Sequence, residues 1–124
     1  MIIGRGPAGA ATAIACRRYG LCVSLLEALD FPRGRPGESL PPAVEPLLKY
    51  WGAGSILGRE PWLRFRGVWS EWEAEKTFLP AGEDKRGSWK GWHIPRERFD
   101  MLLLGKARSL GVQVSQPCRA LRVN

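Results

Sequence analysis

Met1-Ile2-Ile3-Gly4-Arg5-Gly6-Pro7-Ala8-Gly9 is the stretch of sequence that decides the fold. A short apolar run, typical of a buried strand, is followed directly by glycines in the spacing Gly-x-Gly-x-x-Gly. Residues 10–16 are small or apolar and predict a helix, and residues 21–26 predict a buried parallel strand that ends at Glu27. The order of strand, glycine turn, helix, strand and acidic residue predicts a Rossmann-like βαβ unit, and therefore an α/β fold.

Each residue of the glycine turn has a physical role in this prediction. Gly4 lets the chain turn sharply out of the strand, Gly6 lets the backbone approach a pyrophosphate, and Gly9 lets helix and strand pack closely. Pro7 and Ala8 open the helix, where unpaired N–H groups and the positive end of the dipole favour phosphate. The turn therefore predicts a phosphate cradle.

Glu27 extends the prediction from a phosphate to an adenine dinucleotide. An acidic side chain about 20 residues after the turn accepts hydrogen bonds from ribose hydroxyls, which disfavours a 2′-phosphate at that position. The alternative is a tight strand–helix turn that binds no ligand, but such a turn does not require Glu27.

Composition limits the other classes of function. A chain of 124 residues with 44% hydrophobic residues is long enough for one domain with a core. The net charge is +7, but the arginines are spread along the sequence, so nucleic-acid binding is not expected. The sequence contains no run of 18 apolar residues, so no membrane span is predicted. The cysteines have no metal-ligand spacing, and Cys16 and Cys22 are expected in the core as reduced cytoplasmic thiols.

The pattern after Glu27 predicts a dinucleotide fold that a β-hairpin interrupts. The predicted elements are a helix at 7–19 closed by Gly20, a second helix from near Ser39 to Gly52, a hairpin of strands near 63–69 and 75–79, a strand at 89–94, a helix from Pro95 to Gly111, and strands at 112–114 and 120–123. Residues 80–88 are expected to form an exposed loop. We therefore predict a dinucleotide-binding part at 1–58, a β-rich insertion at 59–94, and a returning part at 95–124.

Helical and strand spacing predict which faces are buried. The apolar faces are expected at Val44, Leu47, Leu48 and Trp51 in the second helix and at Phe99, Leu102, Leu103 and Leu110 in the third. Alternation predicts a solvated strand face formed by Glu71, Glu73 and Glu75. Trp69 and Trp72 on the hairpin are candidates to face a substrate or a flavin ring.

Three segments resemble one enzyme group. Residues 4–9 resemble the Gly-x-Gly-Pro-Ala-Gly of FAD-dependent monooxygenases. Residues 31–40, Phe-Pro-Arg-Gly-Arg-Pro-Gly-Glu-Ser-Leu, are similar to a segment shared by flavin-dependent halogenases and geranylgeranyl-reductase-like oxidoreductases. Residues 91–100, Gly-Trp-His-Ile-Pro-Arg-Glu-Arg-Phe-Asp, resemble the strand–Arg–helix segment of the same proteins. The resemblance is to the p-hydroxybenzoate hydroxylase-like group.

The resemblance implies an FAD-binding domain and adds candidate cofactor-binding residues to the turn. Arg33 and Arg35 fall where the group lines the FAD with basic groups, although both could simply solvate a loop. Arg96 falls on an arginine that precedes the third helix and contacts the cofactor. The matching segment also implies contacts from a short run of residues, namely Gly37, Glu38 and Ser39.

The resemblance leaves the reaction open. Monooxygenase members use NAD(P)H to reduce the flavin, and reductase members deliver a hydride to an alkene. Halogenases carry an active-site lysine in the first strand after the Gly-Glu-Ser-Leu helix, and this chain has Arg64, Phe65 and Arg66 there, so halogenation is the weaker option. A non-catalytic nucleotide-binding fragment and an NAD-binding module are the alternatives outside this group.

Two further features complete the sequence-based expectations. The only histidine, His93, is predicted to be a core or loop residue rather than a general base, and no Ser/His/Asp or metal-binding set is expected. The short first strand and the absence of the group's later segments predict an N-terminal part of a longer enzyme, with weak flavin retention by this chain alone.

Overall fold

The computed structural model describes residues 1–30, 34–72 and 75–122. In this part of the chain the helices are α1 Pro7–Arg18, α2 Val44–Tyr50, α3 Ser55–Gly58 and α4 Arg96–Ser109. The strands are β1 Ile2–Ile3, β2 Ser24–Leu26, β3 Glu38–Leu40, β4 Leu63–Phe65, β5 Gly67–Trp72, β6 Glu75–Pro80, β7 Glu83–Asp84, β8 Gly87–Ser88, β9 Gly91–Ile94 and β10 Gln113–Ser115.

A parallel sheet holds the glycine turn in place. Its strand order is β1-β2-β10, and both β1 and β10 pair parallel to β2. The N–H of Gly4 donates to the carbonyl of Leu26 at 2.8 Å, which extends the pairing to the first residue of the turn. Helix α1 ends at Arg18, and Gly20, at φ +78°, provides the left-handed closure that the sequence predicts.

A second sheet brings distant segments together. Strand β9 lies between β3 and β4 and pairs antiparallel with both. The register sets Ser39 opposite His93 on one side and Leu63 opposite His93 on the other. Side chains at these paired positions share one face of the sheet, because opposite residues in antiparallel strands point the same way.

The predicted hairpin is present in part, as β5 and β6, which pair from Gly67–Pro80 to Trp72–Glu75. The first strand predicted near 63–69 is divided, because Leu63–Phe65 form β4 and pair with β9, and the hairpin strand begins only at Gly67. Both Trp69 and Trp72 are exposed, and because they are three residues apart in a strand they lie on opposite faces. The exposed loop predicted at 80–88 contains the short pair β7–β8, and its residues 83–88 are exposed.

One apolar core joins α1, the parallel sheet, α2, α3 and α4. Its buried residues are Ala10, Ala13, Ile14, Val23, Leu25, Leu48, Ala53, Ile56, Leu57, Trp62, Ile94, Phe99, Leu103, Ala107 and Val112. Val44, Trp51, Leu102 and Leu110 pack against this core, as their helical spacing predicts, whereas Leu47 is exposed. Gly52 and Gly111 follow their helices with positive φ, as predicted for terminating residues.

The second helix does not begin near Ser39. Ser39 lies in β3, and α2 starts at Val44. The pairing of Glu38–Leu40 with β9 overrides the local helical pattern. The strand ends after Leu40 because Pro41 and Pro42 have no N–H group to donate to a neighbouring strand.

Other boundaries also differ from the sequence prediction. Strand β2 begins at Ser24 rather than at residue 21, and Cys22 is exposed rather than in the core. Cys16 is half-buried. The described residues of 120–123 form no strand, and β9 begins at Gly91 rather than at residue 89. Glu71 and Glu75 are exposed as predicted, and Glu73 lies outside the described residues.

Candidate functional site

The glycine turn has the conformation that its spacing predicts. Gly4 has φ +88°, a conformation that residues with a side chain rarely adopt. A Cβ on Gly9 would overlap the carbonyl oxygen of Gly4, so only glycine fits at this point of helix–strand contact. Gly6 is the N-cap of α1 in extended backbone, and no side chain caps the helix. The first turn of α1 carries no acidic residue, so no side chain there neutralises the positive N-terminal end of the helix dipole, which attracts anions.

Arg96 stands beside this helix end. It is the first residue of α4, 90 positions from Gly6 in the numbering, yet a Cβ on Gly6 would lie 3.8 Å from Arg96 Nη2. The space that a side chain at residue 6 would fill is therefore bordered by a guanidinium. A helix N-terminus, a missing Cβ and a cation are the groups that a site for an anion requires.

Two carboxylates hold Arg96 in this position. Its Nε and Nη2 donate to the two carboxylate oxygens of Asp100 at 3.0 and 3.2 Å, and Nη1 donates to Glu38 at 2.7 Å. The hydrogen bond to Asp100 is the main reason that the pKa of Arg96 is raised above its ordinary value. Asp100 is 1% exposed, whereas Glu38 is exposed. A cation at a helix start is disfavoured by the helix dipole and needs an anionic neighbour, and Asp100 and Glu38 are those neighbours.

Glu27 lies at the carboxyl end of β2, under the glycine turn. Its carboxylate accepts hydrogen bonds from the backbone N–H groups of Arg5 and Leu29, each at 3.1 Å. The Arg5 Nε lies 3.8 Å from the same carboxylate, and the two side chains are 0% and 5% exposed. Glu27 therefore has a structural function, since it ties the turn to the sheet edge where a ribose is expected.

The other predicted cofactor residues are divided between two places. Pro7 and Ala8 lie in the first turn of α1. Gly37, Glu38 and Ser39 line a cavity of about 640 Å³ together with Arg35. Arg33 lies outside the described residues.

The same cavity contains a polar pair that the sequence did not indicate. Ser39 Oγ and His93 Nδ1 are 2.8 Å apart, and the ring of Phe65 stacks on the imidazole with a centroid distance of 4.6 Å. His93 is an exposed residue of β9, so it is neither the core nor the loop residue that the sequence predicts. The pair depends on the register of β3 against β9, and alternation within each strand is the only sequence signal that hints at it.

Arg64 lies in β4, the strand in which the resemblance implies the lysine of halogenases. Its guanidinium makes structural contacts. Its guanidinium lies 3.6 Å from the ring centroid of Trp92. It also donates to the carbonyl groups of Gly91 and Lys90, at 3.2 and 2.9 Å. These contacts attach β4 to β9.

The described part of the chain contains neither a metal-binding cluster nor a membrane-spanning helix. Within residues 1–30, 34–72 and 75–122, no group of three His, Cys, Asp or Glu side chains is placed to hold a metal ion. In the same part of the chain, no helix has the length and apolar character needed to cross a membrane.

The chain is similar in sequence to flavin-dependent halogenases. No family model matches the chain. A flavin-dependent halogenase of Armillaria mellea (armH4) is 32% identical over 99% of this chain. A tryptophan 2-halogenase of Chondromyces crocatus is 34% identical over 92% of it. The chain spans 24% and 22% of the length of these two relatives.

The solved structures that resemble this chain are also flavin-dependent proteins. The flavin-dependent halogenase CmlS matches with a TM-score of 0.82 and 30% identity, over 92% of this chain and 21% of its own. A flavoprotein/dehydrogenase from Cytophaga hutchinsonii matches with a TM-score of 0.76 and 29% identity, over 90% of this chain and 28% of its own. The homologues of this chain are flavin-dependent enzymes. The expected resemblance to FAD-dependent oxidoreductases and halogenases is confirmed.

Proposed function

We propose that this chain is the FAD-binding portion of a flavin-dependent oxidoreductase of the monooxygenase or reductase type. The observation that carries the proposal is the meeting of Gly6, the uncapped N-terminus of α1 and the guanidinium of Arg96. A diphosphate needs backbone N–H donors, close access to the backbone and a cation, and all three are present. The similarity to flavin-dependent enzymes supports FAD as the dinucleotide.

The residues present fit this cofactor. The turn from Gly4 to Gly9 and the side chain of Arg96 would hold the diphosphate, and Glu27 would receive the adenosine ribose. Bound FAD supplies the redox chemistry, and the protein binds it, orients it and excludes water.

The proposal also covers the division of the chain into parts, further cofactor contacts, the electron donor and the localisation. Residues 1–58 and 95–124 form the dinucleotide-binding part and 59–94 form the insertion. The resemblance supports further proposed cofactor contacts at Arg33, Arg35, Gly37, Glu38 and Ser39. NAD(P)H is the proposed electron donor of the whole enzyme, and cytoplasmic localisation stays a prediction from the cysteines.

Flavin-dependent halogenation is the second candidate, because similar relatives are halogenases. The resemblance implies a lysine in the first strand after the helix, and that strand, β4, carries Arg64 and Phe65 instead. Arg64 is held by the Trp92 ring and by two carbonyl groups, and Phe65 stacks on His93. We therefore place halogenation second.

Titration of the purified chain with FAD, followed by quenching of flavin fluorescence, tests the proposal. FAD should bind saturably and at least about tenfold more tightly than NADP, because the Glu27 carboxylate disfavours a 2′-phosphate. This difference in affinity corresponds to roughly one charge-assisted hydrogen bond. Competition with ADP should displace FAD, since both occupy the glycine turn. Saturable FAD binding that ADP does not affect would contradict the assigned site.

A further inference from the structure

A second cavity, of about 580 Å³, is distinct from the one that contains Ser39 and His93. It is bordered by the start of α2, by Arg64 of β4, by the turn between β7 and β8, and by the two residues that precede β9. Its volume falls within the range of small-molecule sites. Of the described residues assigned above to the cofactor, none lines this second cavity.

The second sheet separates the two cavities. Leu63 is paired with His93, and both line the first cavity. Arg64, the next residue of β4, is paired with Trp92 and lines the second cavity. Because successive side chains of a strand point to opposite faces of a sheet, the two cavities lie on opposite faces. A ligand in the second cavity therefore does not occupy the place proposed for the cofactor.

The aromatic wall of the second cavity is Trp89, whose ring is held in place. The Trp89 N–H donates to the carbonyl of Gly82 at 2.8 Å, and a Cβ on Gly82 would lie 2.5 Å from Trp89 Cε3. The ring therefore packs directly on backbone that the missing Cβ leaves uncovered. Trp89 is still 45% exposed, so the cavity has an oriented indole surface on which an aromatic ring can pack.

The charged groups on the α2 side of the cavity are paired with one another. A carboxylate oxygen of Glu45 lies 3.2 Å from Lys49 Nζ, and the other lies 3.8 Å from Arg64 Nη2. The Arg64 guanidinium also packs on Trp92 and donates to two carbonyl groups. This side of the lining therefore has its one carboxylate neutralised and one positive charge in excess.

The other side of the cavity carries two cations without a carboxylate partner. Arg86 and Lys90 are exposed, and neither forms an ion pair with any residue that the structure describes. Asp84 also lines the cavity, but its carboxylate accepts the backbone N–H of Arg86 at 2.8 Å and does not contact the guanidinium. Two unpaired cations beside an oriented indole favour a ligand that has both a negative charge and an aromatic ring.

We propose that the second cavity binds a small aromatic carboxylate. Trp89 packs against the ring of the ligand, and Arg86 and Lys90 bind its carboxylate group. Because the sheet lies between this ligand and the place proposed for the cofactor, the site is an accessory one, and its ligand is not a substrate of the flavin. Binding at this site does not depend on flavin binding.

Three ligands of similar size test the two chemical requirements separately. Backbone amide resonances of the ¹⁵N-labelled chain are followed by NMR during titration with naphthoate, with naphthalenemethanol, which lacks the charge, and with decahydronaphthoate, which lacks the aromatic ring. Naphthoate should shift the resonances of Arg86, Trp89 and Lys90 saturably. Each of the other two ligands should bind at least about threefold more weakly, the loss expected for one exposed ion pair or one aromatic contact.

A matched pair of variants tests the cation. Arg86→Gln should weaken naphthoate binding about twofold to fivefold, because one exposed ion pair is lost. Lys85→Gln removes the same charge from the adjacent exposed residue, which lies outside the cavity lining, and should leave naphthoate binding unchanged.

Trp89→Leu tests the aromatic wall. It keeps an apolar side chain but removes the ring, so naphthoate binding should weaken about threefold to tenfold. Matching amide spectra away from the substituted residue would show that the variants are folded, and the comparison with decahydronaphthoate tests the same contact in the unsubstituted chain.

Several results would overturn the proposal: no saturable shift of these resonances with naphthoate, equal affinities for naphthoate and naphthalenemethanol, equal losses in Arg86→Gln and Lys85→Gln, or unchanged affinity in folded Trp89→Leu. The naphthoate titration is repeated in the presence of FAD and should give the same affinity. Competition by FAD would assign the second cavity to the cofactor and would also overturn the proposal. Because FAD and ADP binding are measured without naphthoate, failure of the proposed function is distinguishable from failure of this inference.

Discussion

Gly9 of α1 packs so closely against Gly4 that a Cβ on Gly9 would overlap the Gly4 carbonyl oxygen. This relationship fixes the distance between the helix and the end of β1. It also sets the position of Gly6, which lies between the two, next to Arg96. The packing requirement at Gly9 and the proposed binding requirement at Gly6 therefore fall on neighbouring glycines.

Gly9→Ala should destabilise the fold. The added methyl group meets backbone rather than a movable side chain, so the helix must shift away from the strand. We expect the free energy of unfolding to fall by about 1–3 kcal/mol, the typical cost of forcing extra volume into a packed site. Urea unfolding followed by circular dichroism measures the change.

Gly105→Ala is the matched control for this change. Gly105 is an exposed residue of α4, and a Cβ there would meet no atom within 4 Å. Alanine should raise the free energy of unfolding by about 0.5–1 kcal/mol, because glycine disfavours a helix interior. Equal effects of the two substitutions would show that the contact with Gly4 does not constrain the turn.

Gly6→Val should separate binding from folding. A Cβ on Gly6 meets only ordinary contact with Arg96, so the chain should fold with a change in unfolding free energy below about 1 kcal/mol. The valine methyl groups occupy the space proposed for the diphosphate, and FAD and ADP binding should be lost in fluorescence and calorimetric titrations. Gly58→Val is the control, because a Cβ on Gly58 would meet no atom within 4 Å, unlike one on Gly6, and this variant should retain binding. Undiminished ADP affinity in Gly6→Val would mean that the turn does not bind phosphate.

Glu27→Ala should impair both stability and binding. The carboxylate contacts a buried arginine and two backbone N–H groups, so its removal breaks a buried ion pair, a loss of about 3–5 kcal/mol. Loss of the ribose contacts should also weaken FAD binding roughly tenfold to a hundredfold. Urea unfolding and FAD titration at a temperature where the variant is folded measure the two effects separately. A folded variant with unchanged FAD affinity would exclude Glu27 as the ribose acceptor.

The features that local sequence determines were predictable. Helix α1 follows from the glycine turn and Gly20, and α4 follows from Pro95, its apolar spacing and Gly111. Strand β6 of the hairpin follows from alternation, whereas Leu63–Phe65, predicted as part of its first strand, pair with β9 instead. Each of these elements is specified by residues within about 15 positions of one another, which is the range over which propensity and capping act.

The features that depend on register were not predictable. Glu38–Leu40 became a strand because β9, more than 50 positions later, pairs with it. The same register creates the contact between Ser39 and His93 and places Glu38 next to Arg96. A cation at the start of a helix needs an anionic neighbour, but the sequence does not show that a second carboxylate competes for the same guanidinium.

That competition gives the last prediction. Asp100 is buried and binds Arg96 through two hydrogen bonds, whereas the exposed Glu38 binds Nη1 on the side open to solvent. A diphosphate next to Gly6 must share the guanidinium with Glu38 and is repelled by its charge. Glu38→Gln removes that charge and keeps the size of the side chain, so calorimetric titration should show that ADP binds more tightly, by about twofold to fivefold for a partly exposed pair. Glu45→Gln is the control, since Glu45 pairs with Lys49 and lies 3.8 Å from Arg64, neither of which is part of the glycine turn. Weaker ADP binding in Glu38→Gln would show instead that Glu38 orients Arg96 for the phosphate, as Asp100 does.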